Sequence, residues 1–297
     1  MSRDIKAILR PEQIAEAITN RNTSIEMSAT LGSCIYQHYT RVNMFGALDK
    51  LYDRIWHRWL GNPYYLAKFI DQGKGQTVIL LHGIGRPSRD WGTVIKLLLD
   101  TNKYRVVAFD LLGFNFSPQP SWIKYDIDDH ANAVINSIER LKPGHKVILV
   151  GHSMGSLIAA RVGNRRPDLV KHLVLYQPPV YTGLKQKWYM RLRTGSLYKF
   201  YGWVLKHEPN YKDLNRHLVD RYGQRLLGME ITKRNWLPFT RSLENTIMQQ
   251  TTAEDIKGLT MKSDIIYGKF DTLVIQPKKD EFLGHDQKNI KIHTIKT

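Results

Sequence analysis

Short, almost wholly apolar runs recur along the chain: TVILLHG at 77–83, VVAFD ending at Asp110, KVILVGH ending at His152, KHLVLY ending at Tyr176 and DIIYG ending at Gly268. Runs of this length, bounded by turn-forming residues, are the pattern of strands buried on both faces, as in a parallel sheet. Between the earlier runs lie segments with helical spacing: WGTVIKLLL from Trp91, DIDDHANAVINSIERL from Asp126 and MGSLIAARVGNRR from Met154. Strand and helix in alternation predict an α/β protein with a mostly parallel sheet and helices on both faces. Near Tyr64 the run YLAKFI alternates and is followed by the turn-like DQGKGQ, which predicts a further strand ahead of the first apolar run. A helix is predicted from about Thr252, with Glu254 and Asp255 in its first turn, and NIKIHTIKT reads as the last strand through Ile290, Ile292 and Ile295.

Two stretches depart from this rhythm. Residues 1–60 are mainly helical in pattern, and from Phe45 to Leu60 the residues Leu48, Leu51, Tyr52, Ile55, Trp56 and Trp59 recur at three- and four-residue spacing. That stripe is expected to pack on another element. Regular alternation stops again at Pro178 and Pro179, and residues 181–245 read as a helical insertion in which lysine and arginine interleave with tyrosine and tryptophan. The predicted organisation is a helical extension over 1–60 and an α/β domain over 61–297 that contains the 181–245 insertion as a cap.

Composition narrows the function classes. In 297 residues, 44 lysines and arginines face 27 aspartates and glutamates, a formal charge of +17. Such a surface favours anionic lipid or acidic partners, but no nucleic-acid recognition module accompanies the charge, so no nucleic-acid partner is expected. Cys34 is the single cysteine. It closes no intramolecular disulfide, and no Cys/His cluster has metal-ligand spacing, which points to a reducing, cytoplasmic location. The charged N-terminal stretch lacks a signal-peptide pattern, and no run of the chain has the length of a membrane-spanning helix.

The chemistry-bearing residues fall at the ends of predicted strands, where open parallel sheets bind ligands. In VILVGHSMGSLIAA, Gly151, Ser153 and Gly155 form G-x-S-x-G between a strand and a helix. A serine on so sharp a turn projects its hydroxyl above the sheet, and the amide of Met154 at the start of the helix is placed to bind a developing oxyanion. In LLHGIGRPSRDW, the glycine-flanked amide of Ile84 is the second candidate donor, and His82 is expected to brace the loop. Asp110 and Asn115, in FDLLGFNFSPQP, are expected to organise their loop, Asn115 in a left-handed conformation. Asp271 follows the strand ending at Gly268 and is the candidate triad acid, whereas Asp264 is expected at the opposite end of that strand. For the base the sequence offers His293, within the last predicted strand, and His285, in the GHDQKN turn before it. A chain that continues past Thr297, or a protein without a base, stands beside those two readings.

At LLHGIG, DLLGFNFS, GHSMGS and YGKFD the sequence resembles the serine-nucleophile α/β-hydrolases with a helical cap inserted after the sixth strand. The resemblance runs over roughly residues 64–297. It implies Ser153 as nucleophile, the Ile84 and Met154 amides as oxyanion hole, Asp271 as acid and no metal or organic cofactor. The departures are Asn115 where the family often has glycine, Gln177 where an alternative strand-end acid can occur, and the lack of a histidine after the last strand. The expected function is a serine carboxylesterase-like hydrolase acting on a small-molecule acyl substrate. Its alternatives are a binding protein of the same fold with little or no activity, an acyltransferase and a C–C bond hydrolase. Contact with an anionic membrane surface is compatible with each.

Overall fold

The computed structural model describes residues 51, 53–180, 230–269 and 287–295. Seven strands, β1 (Lys68–Gly73), β2 (Gln76–Leu81), β3 (Tyr104–Phe109), β4 (Val147–His152), β5 (Val170–Tyr176), β6 (Lys262–Gly268) and β7 (Ile290–Ile295), form one sheet in the order β1-β3-β2-β4-β5-β6-β7. Every neighbouring pair is parallel except β1 with β3. The apolar runs occupy the centre because parallel strands here are covered on both faces, and Val78, Ile79, Leu80 and Leu81 are all fully buried. The alternating run near Tyr64 becomes β1, at the edge.

Helices α1 (Gly92–Asp100), α2 (Ile127–Leu141), α3 (Met154–Arg165), α4 (Trp236–Ser242) and α5 (Thr252–Lys257) follow in chain order. Odd and even strand positions divide the core into two layers. Leu81, Leu149, Leu173 and Ile265 pack with Val134, Ile138, Leu157 and Ile158 of α2 and α3. Leu80, Ile148 and Val106 pack with Val94, Ile95 and Leu98 of α1 on the other face. The start of α2 is fixed by Asp126, whose Oδ1 accepts from the amides of Asp128 and Asp129 at 3.1 and 2.9 Å. That is the side-chain cap that leaves two fewer amides unpaired at the helix start.

Residues 1–50 and 181–229, which carry most of the predicted extension and cap, lie outside the described residues. In the chain, the segment 181–229 comes after β5 of the described sheet. Its described continuation joins the body: Phe239 and Leu243 are buried in the α2–α3 layer. Arg241 Nη1 donates to the carbonyls of Ser121 and Ile123 at 2.8 and 2.5 Å, so α4 clasps the β3–α2 loop. Gly113 in that loop, at φ +87°, approaches Pro238 so closely that a Cβ there would lie 2.5 Å from the proline Cβ.

One expectation is corrected and another is made specific. The aromatic stripe before Leu60 forms a π-helical turn, Arg54–Trp59, none of whose residues is buried. Asp264 is the third residue of β6, and on the α1 side of the sheet it accepts from His172 Nε2 of β5 at 2.6 Å and from His293 Nε2 of β7 at 2.8 Å. Burial acts to raise the Asp264 pKa, but the hydrogen bonds from the two imidazoles outweigh it and hold the carboxyl down at about 2. An unfolded aspartate titrates near 3.9. This clamp therefore contributes its stability in full above about pH 4 and loses it as pH falls towards about 2. Asp264→Asn is expected to lower unfolding free energy at pH 7 by on the order of 1 kcal/mol, the site being partly open to solvent. In urea titrations the gap between wild type and variant should close near pH 2.

Candidate active site

Ser153 stands between the last residue of β4 and the first of α3 with φ +51° and ψ −120°. A left-handed φ is costly for any residue with a Cβ and persists only where its surroundings impose it. Here β4 and α3 converge so tightly that side chains are excluded on both sides of the serine. A Cβ on Gly151 would lie 2.2 Å from the Gly155 carbonyl oxygen, and one on Gly155 would lie 2.5 Å from the carbonyl oxygens of both Leu81 and His82. The turn is pinned by the Ser153 amide, which donates to the Tyr176 carbonyl of β5 at 3.0 Å. The Ser153 carbonyl in turn accepts from the Ser156 amide at 2.9 Å, beginning the helix. Met154 is the first residue of α3, where an amide has no acceptor within the helix. It is free to face an anion beside Ser153.

The loop after β2 meets the same turn. A Cβ on Gly83 would sit 3.1 Å from Ser153 Cβ and 3.2 Å from His152 Nδ1, so the backbone preceding Ile84 is pressed against the elbow. His82 holds it there. Its Nε2 accepts from the Leu111 amide at 2.8 Å, which leaves Nδ1 as the protonated nitrogen, donating to the Gly83 carbonyl at 2.8 Å. Burial pushes the His82 pKa down, so the ring stays neutral and keeps this tautomer. Both nitrogens are committed to backbone, which gives His82 the bracing role expected of it.

Asp110 organises the next loop. Its Oδ1 accepts from Ser88 Oγ at 2.6 Å and from Asn115 Nδ2 at 3.0 Å, and Asn115 adopts the expected left-handed φ, +47°. The loop after β2 is also tied to the point where the described chain resumes: the Glu230 amide donates to the Gly85 carbonyl at 2.6 Å, and Arg89 pairs with the Glu230 carboxylate.

Of the candidate site residues, the structure brings Ser153, Met154 and Ile84 to one end of the sheet. Asp271 and His285 lie outside the described residues, and the description of that region stops at Lys269, whose amide donates to the Ile295 carbonyl at 2.8 Å. His293 is not at the elbow. Register places His152, Tyr176, Ile266 and His293 in one row across β4 to β7. Three strand spacings, roughly 14 Å, therefore separate the His293 backbone from the end of β4. Its Nε2 is held by Asp264.

Sequence reasoning passed over a cleft beside Ser153 lined by His82, Gly83, Arg86, Asp90, Trp91 and His152. In it Arg86 Nε lies 2.5 Å from Asp90 Oδ2, and the His152 ring is set between Trp91 and Tyr176, with centroids 6.4 and 5.4 Å away. Burial, then the Arg86 charge, lowers the His152 pKa to about 3, which makes it a poor proton acceptor. The only sequence signal for this cleft was the clustering of polar residues just after two strand ends.

The strand order, the strained serine between β4 and α3 and the braced loop after β2 define an α/β-hydrolase fold. Residues 76–210 match the sequence profile of the alpha/beta hydrolase fold family. A "Probable lysophospholipase BODYGUARD 4" of Arabidopsis thaliana is 32% identical over 110 residues, which are 37% of this chain and 26% of the relative. A 2-hydroxy-6-oxo-6-(2'-aminophenyl)hexa-2,4-dienoic acid hydrolase of Metapseudomonas resinovorans is 36% identical over 112 residues, 37% of this chain and 38% of the relative. The match thus spans well under half the length of either relative. Among solved structures, a meta-cleavage product hydrolase from Pseudomonas fluorescens superposes with a TM-score of 0.54 at 22% identity, covering 76% of this chain and 84% of that one. Among the described residues no helix is long and apolar enough to cross a membrane.

Gly155→Ala forces a methyl group onto two carbonyl oxygens of β2 and its loop. It is expected to cost about 2–4 kcal/mol of stability, read from urea denaturation, whereas an alanine at the unobstructed, helix-starting Gly92 is expected to cost under about 1 kcal/mol.

Proposed function

We propose that the chain is a serine hydrolase that cleaves an ester or related acyl bond of a small-molecule substrate through an acyl-enzyme on Ser153. The observation that carries this reading is the left-handed backbone of Ser153 with the Gly83 loop packed against it. A purely structural serine gains nothing from φ +51° at a helix start, where ordinary caps are extended. The relatives named as lysophospholipases favour an acyl ester.

In the proposed reaction Ser153 Oγ attacks the substrate carbonyl while a base takes its proton. The carbonyl oxygen becomes an anion received by the amides of Met154 and Ile84. Collapse breaks the bond to the leaving alkoxide, which takes the proton back from the base, and an acyl group remains on Ser153. Water, deprotonated by the same base, then releases the acid and restores the serine. Asp271 is proposed as the acid that orients the base. Of the two histidines offered by the sequence, His293 is bound to Asp264, and His285 is therefore proposed as the base. The lone Cys34 supports placing the activity in a reducing compartment such as the cytoplasm.

A fluorophosphonate probe is expected to label the folded protein at Ser153. Ser153→Ala should abolish labelling and lower ester hydrolysis by at least about a thousandfold, with unchanged thermal unfolding. A folded chain that neither takes the probe nor hydrolyses a panel of esters would leave a binding role for this fold. His285→Ala is expected to slow labelling sharply, and undiminished labelling would place the base on another residue.

A further inference from the structure

The π-helical turn before β1, with Leu51 and Leu60 on either side of it, carries a run of exposed large apolar side chains, of which Trp59 and Leu60 are the most exposed among the described residues. Trp59 is 76% exposed, Leu60 62%, Leu51 53% and Ile55 38%. Leu51, Ile55 and Trp59 recur at the four-residue intervals that share one side of a helical turn, and Leu60 follows directly. The opposite side is held down. The His57 ring stacks on Tyr64 with centroids 3.9 Å apart, and its Nδ1 lies 2.8 Å from the Asn62 carbonyl. The Leu60 and Asn62 amides close the turn on the carbonyls of Ile55 and Trp56 at 3.0 and 3.2 Å. The apolar side is therefore presented by a braced scaffold and flanked by the exposed Arg54 and Arg58.

Its position is informative. The Arg54 guanidinium lies over the Trp122 ring, 5.8 Å from its centroid, and Trp122 belongs to the loop that leaves the carboxyl end of β3. The turn thus stands at the same edge of the sheet as Ser153. We infer that this edge docks on an anionic bilayer surface, with Trp59, Leu60 and Leu51 entering the headgroup region and Arg54 and Arg58 meeting lipid phosphates. Tryptophan beside aliphatic residues, with arginines at the border, is the composition that partitions into a membrane interface. The chain's +17 charge adds long-range attraction to anionic lipid. A second copy fits this surface less well, because twofold self-pairing of the patch would place the Arg54 and Arg58 charges of one copy beside the like charges of the other. The inference does not depend on any catalytic step.

The test is co-sedimentation of the full chain with vesicles of phosphatidylcholine containing about a third phosphatidylglycerol, at low salt. Binding is expected, weakening in high salt and on pure phosphatidylcholine. The double variant Trp59→Ala, Leu60→Ser should bind roughly tenfold more weakly or worse, and Arg58→Glu should steepen the loss. Leu97→Ser, which removes an exposed leucine from α1, should bind like wild type. Unchanged thermal unfolding of the variants would show that the surface alone was altered. Undiminished binding by the double variant, failure of wild type to bind anionic vesicles, or a dimer that the double variant dissolves would each overturn the assignment. Probe labelling of Ser153 is read separately, so loss of vesicle binding with labelling intact refutes this surface and leaves the proposed chemistry standing.

Discussion

The carbonyl oxygens of Leu81 and His82 come so near Gly155 that no side chain fits between β2 and α3. That contact governs the end of the sheet at which Ser153 stands. It lets α3 begin directly above the sheet, which obliges the one residue between β4 and α3 to turn through positive φ. It also brings the loop after β2 alongside that residue, so Ser153 and the backbone of the Gly83 loop become neighbours through backbone packing alone. Local strain at Ser153 is then held by structure formed elsewhere: a strand bond to Tyr176, two helix bonds and a fully apolar layer beneath.

Around this contact the polar groups are used as fasteners. His82 is neutral by burial and joins two backbone segments. Asp110, at the end of the next strand, gathers Ser88 and Asn115, linking the loops that follow β2 and β3. On the far side of the sheet Asp264 performs the same service for β5 and β7 through two imidazoles. Each of these groups would be costly if left buried without a partner, and each binds elements that the apolar core alone would not hold in register.

The body of the fold was legible because central parallel strands have to be apolar throughout, and the runs ending at Asp110, His152, Tyr176 and Gly268 satisfy that requirement without ambiguity. The elbow was legible for a related reason: Gly151, Ser153 and Gly155 stand within five residues, between an apolar run and a helical one. What the pattern could not convey was partnership. The alternation near Tyr64 marks an edge strand but not that β1 pairs antiparallel with β3 across the connection to β2. Helical spacing over Leu51, Ile55, Trp56 and Trp59 identifies a shared side, yet spacing is the same whether that side meets protein or solvent. His293 was equally indistinct, because whether a strand histidine reaches a nucleophile or a neighbouring carboxylate depends on which strands lie between them. Asp264 supplied the answer only once β5, β6 and β7 were side by side.

Val180 and Ile231, on either side of the 181–229 stretch, are both buried in the α2–α3 layer, and Glu230 is bonded to Gly85 in the loop beside Ser153. The insertion is therefore attached like a graft, with both cut ends sealed into the trunk. Closing a longer or shorter loop between fixed ends changes chain entropy only slowly with length. The length and sequence of 181–229 can thus change between these two fixed ends while the backbone geometry at Ser153 is kept.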